Sequence, residues 1–341
     1  MTFYRDTEQS SFADDVVGQE TQGILQGGGT SASAGKSAPS EETVAKIAAE
    51  YLPGVRSVER VPEGVSTYVY RAETESGTFY LRFLPEDATF GVEVLAQQKL
   101  TELGVPVPQV LHYEPWEPLT GRSMMITARL PGEPLSPAAP EEILRPVLRQ
   151  AGQALKRLHS VPVAGFGWVD RRFETELRGE HPDYLSYFDE FLESDLSALA
   201  AFFSEDAMVR LRALTEEARR TLNLENAVLV HGDFCMEHIF HAGGEFTGFI
   251  DFGEIRGNHP YFDLGAFLNA DETEEQKATR WLLEGYGEVD LRAVLLSELC
   301  FTLRFAGKKA DLPAGEFWRE RLKQAMARLD AGDRSSQFCK E

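Results

Sequence analysis

The chain is short of cysteine, of cations and of long apolar runs. Only three cysteines occur, Cys235, Cys300 and Cys339, far apart in a sequence of 341 residues. So sparse and odd a count gives no disulfide framework and points to a reducing compartment, with the cytoplasm as the default. No run of about 18 apolar residues is present, which argues against a membrane-spanning helix. The start, Met1 to Glu20, is polar and acidic and lacks the basic segment and apolar core of a secretory leader. Lysine and arginine number 34 against 55 aspartates and glutamates, a net charge of −21. That balance disfavours nucleic acid as a partner, because phosphate affinity rests on clustered cations. An acidic cleft that draws a cationic substrate would also give such a balance. The acid is spread along the chain, however, which fits solubility more closely.

What is present suits a folded protein of one large domain or two lobes: 43% hydrophobic and 26% charged residues. Residues 1–40 read as a disordered tail. Within it, Gly29-Thr30-Ser31-Ala32-Ser33-Ala34-Gly35-Lys36-Ser37 nearly spells a phosphate loop. Thr30 stands where that pattern needs glycine, and Ile24-Leu25 is too short for the strand that must precede it. A linker is the better reading.

From Ser40 the pattern changes. Ser40-Glu41-Glu42-Thr43 caps a helix whose Val44, Ile47, Ala48 and Tyr51 share a face. Strands are expected at Val55–Val61, Tyr68–Glu73 and Thr78–Leu84, then a helix from Phe90 to Leu103, then strands at Val110–Tyr113 and Ser123–Ala128. In the third strand Phe79, Leu81 and Phe83 face one way, Tyr80 and Arg82 the other. Residues 41–128 thus form a small β-rich lobe, 129–132 a hinge, 133–330 a larger and mainly helical lobe, and 331–341 a tail. Helices are expected over 141–159, 183–203, 205–222, 273–285, 290–306 and 316–330. The fold class is α+β.

The exception to the helical pattern is 227–251. Val228-Leu229-Val230 reads as a short buried strand that ends in His231-Gly232-Asp233. Ile239-Phe240 and Phe246–Ile250 form a hairpin around Ala242-Gly243-Gly244-Glu245. With position 238 pairing near 249, His238 and Asp251 come to the same end, roughly 5–8 Å apart. Asp233 lies just before them. A carboxylate able to accept a hydroxyl proton therefore sits beside two groups able to hold a metal, the set that phosphoryl transfer needs.

His231-Gly232-Asp233, His238, Ile250-Asp251-Phe252-Gly253 and Gly257-Asn258-His259-Pro260-Tyr261-Phe262-Asp263-Leu264-Gly265 together resemble the aminoglycoside phosphotransferase family. That resemblance implies a protein-kinase-like fold. It also implies transfer of the γ-phosphate of ATP or GTP to a hydroxyl of a small molecule, with Mg²⁺, two ions in the fuller version, and Mn²⁺ able to substitute. Asp233 stands at the position of the catalytic base and Asp251 at that of the principal metal ligand. His231 and Asp263 stand where the family braces its catalytic loop. His238 occupies a metal slot that usually holds Asn, as in the branch with macrolide and aminoglycoside 2″-kinases. It is read as a second-metal ligand, although imidazole suits borderline metals better than Mg²⁺. A loop histidine bonded to backbone is the alternative.

In the small lobe Arg82 stands where the family commonly has the lysine that reaches the nucleotide phosphates, and Glu93 is its natural partner. An ordinary surface pair is the alternative. Gly64, Ser66 and Thr67 would cover the phosphates. With Pro131-Gly132 as the anchor, Thr127 takes the gatekeeper position, and the backbones of Ala128 and Leu130 would meet the purine. Cys235 reads as loop packing rather than a reactive thiol. Asp189, Glu190, Glu193 and Asp195 read as a solvated helix face, and Glu254 is the better-placed acid for a cationic substrate. An antibiotic acceptor leads. A metabolic kinase of the choline, homoserine or sugar type, and a non-catalytic nucleotide-binding protein of the same fold, are the other readings.

Overall fold

The computed structural model describes residues 37–62 and 67–332. The segment before residue 37, Gly64, Ser66 and the tail with Cys339 lie outside the described residues. The chain divides into two compact units. One holds the described residues up to Val94 together with Gln109–Arg129, and the other holds Leu95–Pro108 and the described residues from Leu130 onward.

The first unit opens with α1 (Glu41–Tyr51). Ser40 caps it, its hydroxyl accepting the Thr43 amide at 3.2 Å. Strands β1 (Val55–Val61), β2 (Tyr68–Thr74), β3 (Thr78–Phe83), β4 (Val110–Glu117) and β5 (Arg122–Ala128) make one antiparallel sheet in the order β1-β2-β3-β5-β4. The apolar face of α1 packs on it, so Val44, Ile47, Tyr70, Leu81, Phe83, Met124 and Ile126 form one core. Each large aliphatic side chain fully buried there contributes roughly 1.5–3 kcal/mol. Strand alternation sends Arg82 to the face opposite Leu81 and Phe83. There it meets α2 (Gly91–Glu102), whose first turn carries Glu93.

The second unit contains β6 (Glu133–Pro134), α3 (Glu141–Leu158), β7 (Pro162–Val163), β8 (Phe166–Val169), β9 (Gly179–His181), α4 (Tyr184–Asp189), α5 (Leu192–Leu199) and α6 (Glu205–Thr221). It continues with β10 (Ala227–Val230), β11 (Ile239–Ala242), β12 (Glu245–Phe249), β13 (Arg256–Asn258), α7 (Tyr261–Ala270), α8 (Lys277–Tyr286), α9 (Leu291–Lys308) and α10 (Gly315–Gly332). Five strands pair in the order β7-β10-β13-β8-β9, and three in the order β12-β11-β6. A sheet-rich N-terminal region followed by a mainly helical one is the α+β architecture expected. Among the described residues, no helix is long and apolar enough to cross a membrane.

Four expectations need correction. The single helix over 183–203 is two, because the chain turns at Glu190-Phe191 between α4 and α5. Of its acids, Asp189, Glu190 and Glu193 are exposed as expected, and only Asp195 is buried. Asp189 pairs with Arg219, Glu190 with His181, Glu193 with Arg212 and Asp195 with Arg304, at 2.7–3.1 Å. Burial pushes the Asp195 carboxyl up to about 6 against the opposing pull of Arg304. In the hairpin, Ile239 rather than His238 faces Phe249, since an irregularity between Phe240 and His241 absorbs one residue. The helix expected over 273–285 begins as a single 3₁₀ turn, and α8 proper starts at Lys277.

Candidate active site

Strand β10 is held between β7 and β13, with Leu229 and Val230 fully buried. It delivers His231 to its C-terminal end. The next residue must be glycine: Gly232 has φ +86°, and a Cβ there would lie 1.8 Å from the Glu254 carbonyl oxygen. The two segments that carry Asp233 and Asp251 therefore meet backbone to backbone.

Asp263, in the first turn of α7, is fully buried and organises that turn. Its carboxylate accepts the His231 amide at 2.7 Å and the Gly232 amide at 2.9 Å. It also accepts His159 Nε2–H at 3.0 Å. Burial alone would raise this carboxyl, but the hydrogen bond from His159 leads the groups that hold it below its usual value. Nε2–H of His231 donates to the Ile250 carbonyl at 2.7 Å, while Nδ1 accepts the Asp233 amide at 3.4 Å. Burial, and then His238, depress the His231 pKa, which matches a neutral ring with one donor and one acceptor.

The structure brings Asp233, His238 and Asp251 together. His238 Nδ1 lies 3.8 Å from Asp233 Oδ2, and His238 Nε2 lies 4.0 Å from Asp251 Oδ2. The His238 ring stacks on His231, with centroids 5.6 Å apart. Nδ1–H of His238 donates to the Asp233 backbone carbonyl at 2.7 Å, which turns the Nε2 lone pair toward Asp251. Asp251 adopts a left-handed conformation, φ 61° and ψ 73°, which few side chains take and aspartate takes more readily than most. Desolvation raises the Asp233 carboxyl above the ordinary range; His238 opposes this and Asp251 adds to it.

These residues fit a divalent cation. Burial opposes charge on His238, yet contact with the Cys235 sulfur and the carboxylates of Asp233 and Asp251 raise its pKa well above the usual histidine value. Two donors each about 2.1 Å from one ion stand at most about 4.2 Å apart, which Nε2 and Oδ2 satisfy. Histidine ligands typically donate their second ring N–H to a carbonyl, as Nδ1 does here. Among the described residues no group of three or more His, Cys, Asp or Glu is placed to hold a metal ion, so the fit rests on two donors, His238 and Asp251. Cys235 lies 3.5 Å from His238 Nδ1, and burial pushes its thiol pKa up, so it stays protonated and unreactive.

Glu254 is engaged: its Oε2 accepts Trp168 Nε1–H at 2.9 Å and Arg256 at 3.0 Å. The Arg256 guanidinium lies over the Trp168 ring, 4.2 Å from its centroid. Glu254 therefore braces the loop that follows Asp251. In the first unit, Arg82 Nη1 meets Glu93 Oε2 at 3.0 Å, with the Glu93 side chain wholly buried and that of Arg82 13% exposed. The guanidinium also lies over the Phe90 ring. This is an interior ion pair, unlike an ordinary surface pair. Thr67 and Thr127 are buried. The Ala128 amide is donated to the Gln109 carbonyl at 2.9 Å, and Leu130 is 8% exposed. Sequence reading missed His159 and Tyr286, which stand behind Asp263. No local pattern marks them, since 104 positions separate His159 from Asp263.

A model of the phosphotransferase enzyme family matches residues 57–296, well over half the chain. No match is found among curated proteins. Similar solved structures include a thermostable variant of aminoglycoside phosphotransferase APH(4)-Ia in ternary complex with AMP-PNP and hygromycin B. It is 18% identical, with a TM-score of 0.61 over 86% of this chain and 99% of that one. A choline/ethanolamine kinase family protein from Mesorhizobium loti is 20% identical, with a TM-score of 0.56 over 87% and 96%. The GDP and kanamycin complex of APH(2″)-IIia is 16% identical, with a TM-score of 0.57 over 86% and 99%. At these identities the structures speak to the fold, which is that of aminoglycoside and choline kinases. The chain belongs to the phosphotransferase enzyme family and is a small-molecule kinase that phosphorylates hydroxyl groups.

Proposed function

We propose that Asp233 accepts the proton of an acceptor hydroxyl while Asp251 and His238 hold Mg²⁺ against the phosphates of ATP or GTP, and that the acceptor is an aminoglycoside or macrolide antibiotic. The convergence of Asp233, His238 and Asp251 within 4.0 Å contacts carries this reading. A carboxylate raised by its surroundings is a better proton acceptor than an ordinary one. Bound cation would neutralise charge on the phosphates. The protein's own part is positioning. Asp263 and His231 fix the turn, Gly232 allows its close approach, and Asp233 is aimed from it. Arg82, oriented by Glu93, would reach the nucleotide phosphates, as would Gly64, Ser66 and Thr67, with the backbones of Ala128 and Leu130 toward the purine. The neighbours bound to AMP-PNP and to GDP support both purine nucleotides as candidates.

Neighbours in complex with hygromycin B and kanamycin support an antibiotic acceptor. A choline/ethanolamine kinase relative favours a metabolic amino alcohol as the second reading. A phosphorylation screen over aminoglycosides, macrolides, choline-like alcohols and amino acids, with ATP and GTP in turn, separates the two. Turnover with antibiotics alone supports the first reading. Turnover confined to choline-like alcohols or amino acids replaces it with the second, and tight nucleotide binding with no turnover on any acceptor removes both.

His238→Ala should weaken apparent Mg²⁺ affinity roughly 10–100-fold, with a smaller loss in saturating metal. The Mn²⁺ response should fall further still, because imidazole suits Mn²⁺ better than Mg²⁺. Metal titrations that superimpose on those of the parent would show that the imidazole is only a loop brace.

A further inference from the structure

Behind the catalytic turn lies a buried hydrogen-bonded chain with no counterpart in the chemistry above. Tyr286, the last residue of α8, has its hydroxyl 2.9 Å from His159 Nδ1. His159 follows α3 directly, and its Nε2–H donates to Asp263 Oδ2 at 3.0 Å. Asp263 in turn holds the amides of His231 and Gly232. His159 is 5% exposed, Tyr286 4% and Asp263 not at all, so water cannot replace any link.

The two residues are placed by an unusually close helix crossing. A Cβ on Gly152 of α3 would lie 2.1 Å from the Leu282 carbonyl oxygen of α8. One on Gly285 of α8 would lie 1.9 Å from the Arg149 carbonyl oxygen of α3. Both glycines are needed for the backbones to touch, and Tyr286 is the next residue after Gly285. The crossing therefore sets the tyrosine hydroxyl at one height relative to the end of α3. The Lys156 ammonium lies over the tyrosine ring, 4.6 Å from its centroid, and covers its outer side.

We propose that Tyr286 and His159 are positioning residues for phosphoryl transfer: they lock the rotation of the Asp263 carboxylate and, through the two amides it holds, set where Asp233 presents its own. This rests on Asp233 being the proton acceptor. An imidazole held at Nδ1 has one ring orientation and aims Nε2–H at Oδ2. Without the tyrosine hydroxyl the ring can flip, and the carboxylate loses its third donor, the second on Oδ2. The carboxylate can then rotate about χ2, and the His231-Gly232 turn follows it. A displacement of about 1 Å at a reacting group can cost on the order of 10²-fold in rate.

The test is a double-mutant cycle of Tyr286→Phe and His159→Gln, chosen because glutamine keeps a donor near the Nε2 position and loses the Nδ1 contact. The measured reaction is hydrolysis of Mg·ATP and Mg·GTP with water as acceptor, together with hydrogen exchange at the 231 and 232 amides and the thermal midpoint. Each single change should lower kcat about tenfold, with the nucleotide KM within about twofold. The double variant should be no slower than the slower single, because both act through one carboxylate. Exchange at 231 and 232 should quicken beyond the change at amides elsewhere in the fold, with the global midpoint lowered by only a few degrees. Parent-like kcat in Tyr286→Phe, losses that multiply in the double variant, or unchanged exchange at the two amides would each overturn the proposal. The exchange readout decides the matter even where turnover to water is too slow to follow. Asp233→Asn is run in parallel: full activity in it would remove the proton-acceptor role alone, and the exchange rates would still report on the chain.

Discussion

Asp233→Asn should lower kcat by roughly 10²–10⁴-fold while nucleotide affinity stays within about twofold. The amide keeps the size and hydrogen-bonding reach of the carboxylate but cannot take a proton from the acceptor hydroxyl. Desolvation has raised the Asp233 carboxyl above its ordinary range, so it is a stronger base than a solvated aspartate. The His231 ring accepts the Asp233 amide, and the Asp233 carbonyl accepts from His238, so the backbone of the variant has the same supports. The loss should therefore appear in turnover and leave binding and unfolding alone. Steady-state kinetics on the accepted hydroxyl substrate, with nucleotide binding followed by calorimetry, check this. A variant that turns over within threefold of the parent would move the proton-acceptor role elsewhere.

Asp263→Ala should destabilise the fold by about 3–5 kcal/mol, the range for removing one partner of a buried charged hydrogen-bonded set. Two backbone amides and the His159 Nε2–H lose their acceptor at once, in a site with no solvent access. Asp263→Asn keeps one acceptor oxygen and should cost less. The acid dependence follows from the sign of the shift. The folded carboxyl lies below its unfolded value, about 3.9. Its stabilising contribution is therefore complete above that unfolded value and is lost as pH falls through the folded one. The asparagine variant should lack this part of the acid sensitivity. Denaturant melts of the three proteins at pH 7 and in the acid range measure both effects. Equal midpoints at pH 7 would mean that the turn is held by something else.

Much of the fold was legible because its signals are local. The apolar spacing of α1 and its serine cap lie within a dozen residues, and β1 falls at the expected Val55–Val61. Alternation in β3 placed Arg82 opposite Leu81 and Phe83, where it meets Glu93. Misses came where tertiary contacts outweigh local pattern. The break at Glu190-Phe191 lets acids of α4 and α5 reach arginines on α6 and α9, partners that helical periodicity cannot reveal. The hairpin slipped by one residue because a bulge beside Gly248, which faces Phe240 with φ +148°, puts one extra residue on β12. In the site, Asp233, His238 and Asp251 could be grouped from sequence since one hairpin folds them together. The chain from Tyr286 through His159 could not, because it joins α3, α7 and α8 through space.

Gly232 has a consequence for motion. Its Cα sits against the Glu254 carbonyl with no room for even a methyl group. The segment bearing Asp233 and the one bearing Asp251 cannot slide past each other on the microsecond-to-millisecond timescale of loop opening without unfolding that contact. Motion that parts Asp233 from Asp251 must break this contact, so widening around an acceptor would come more readily from segments outside this pair.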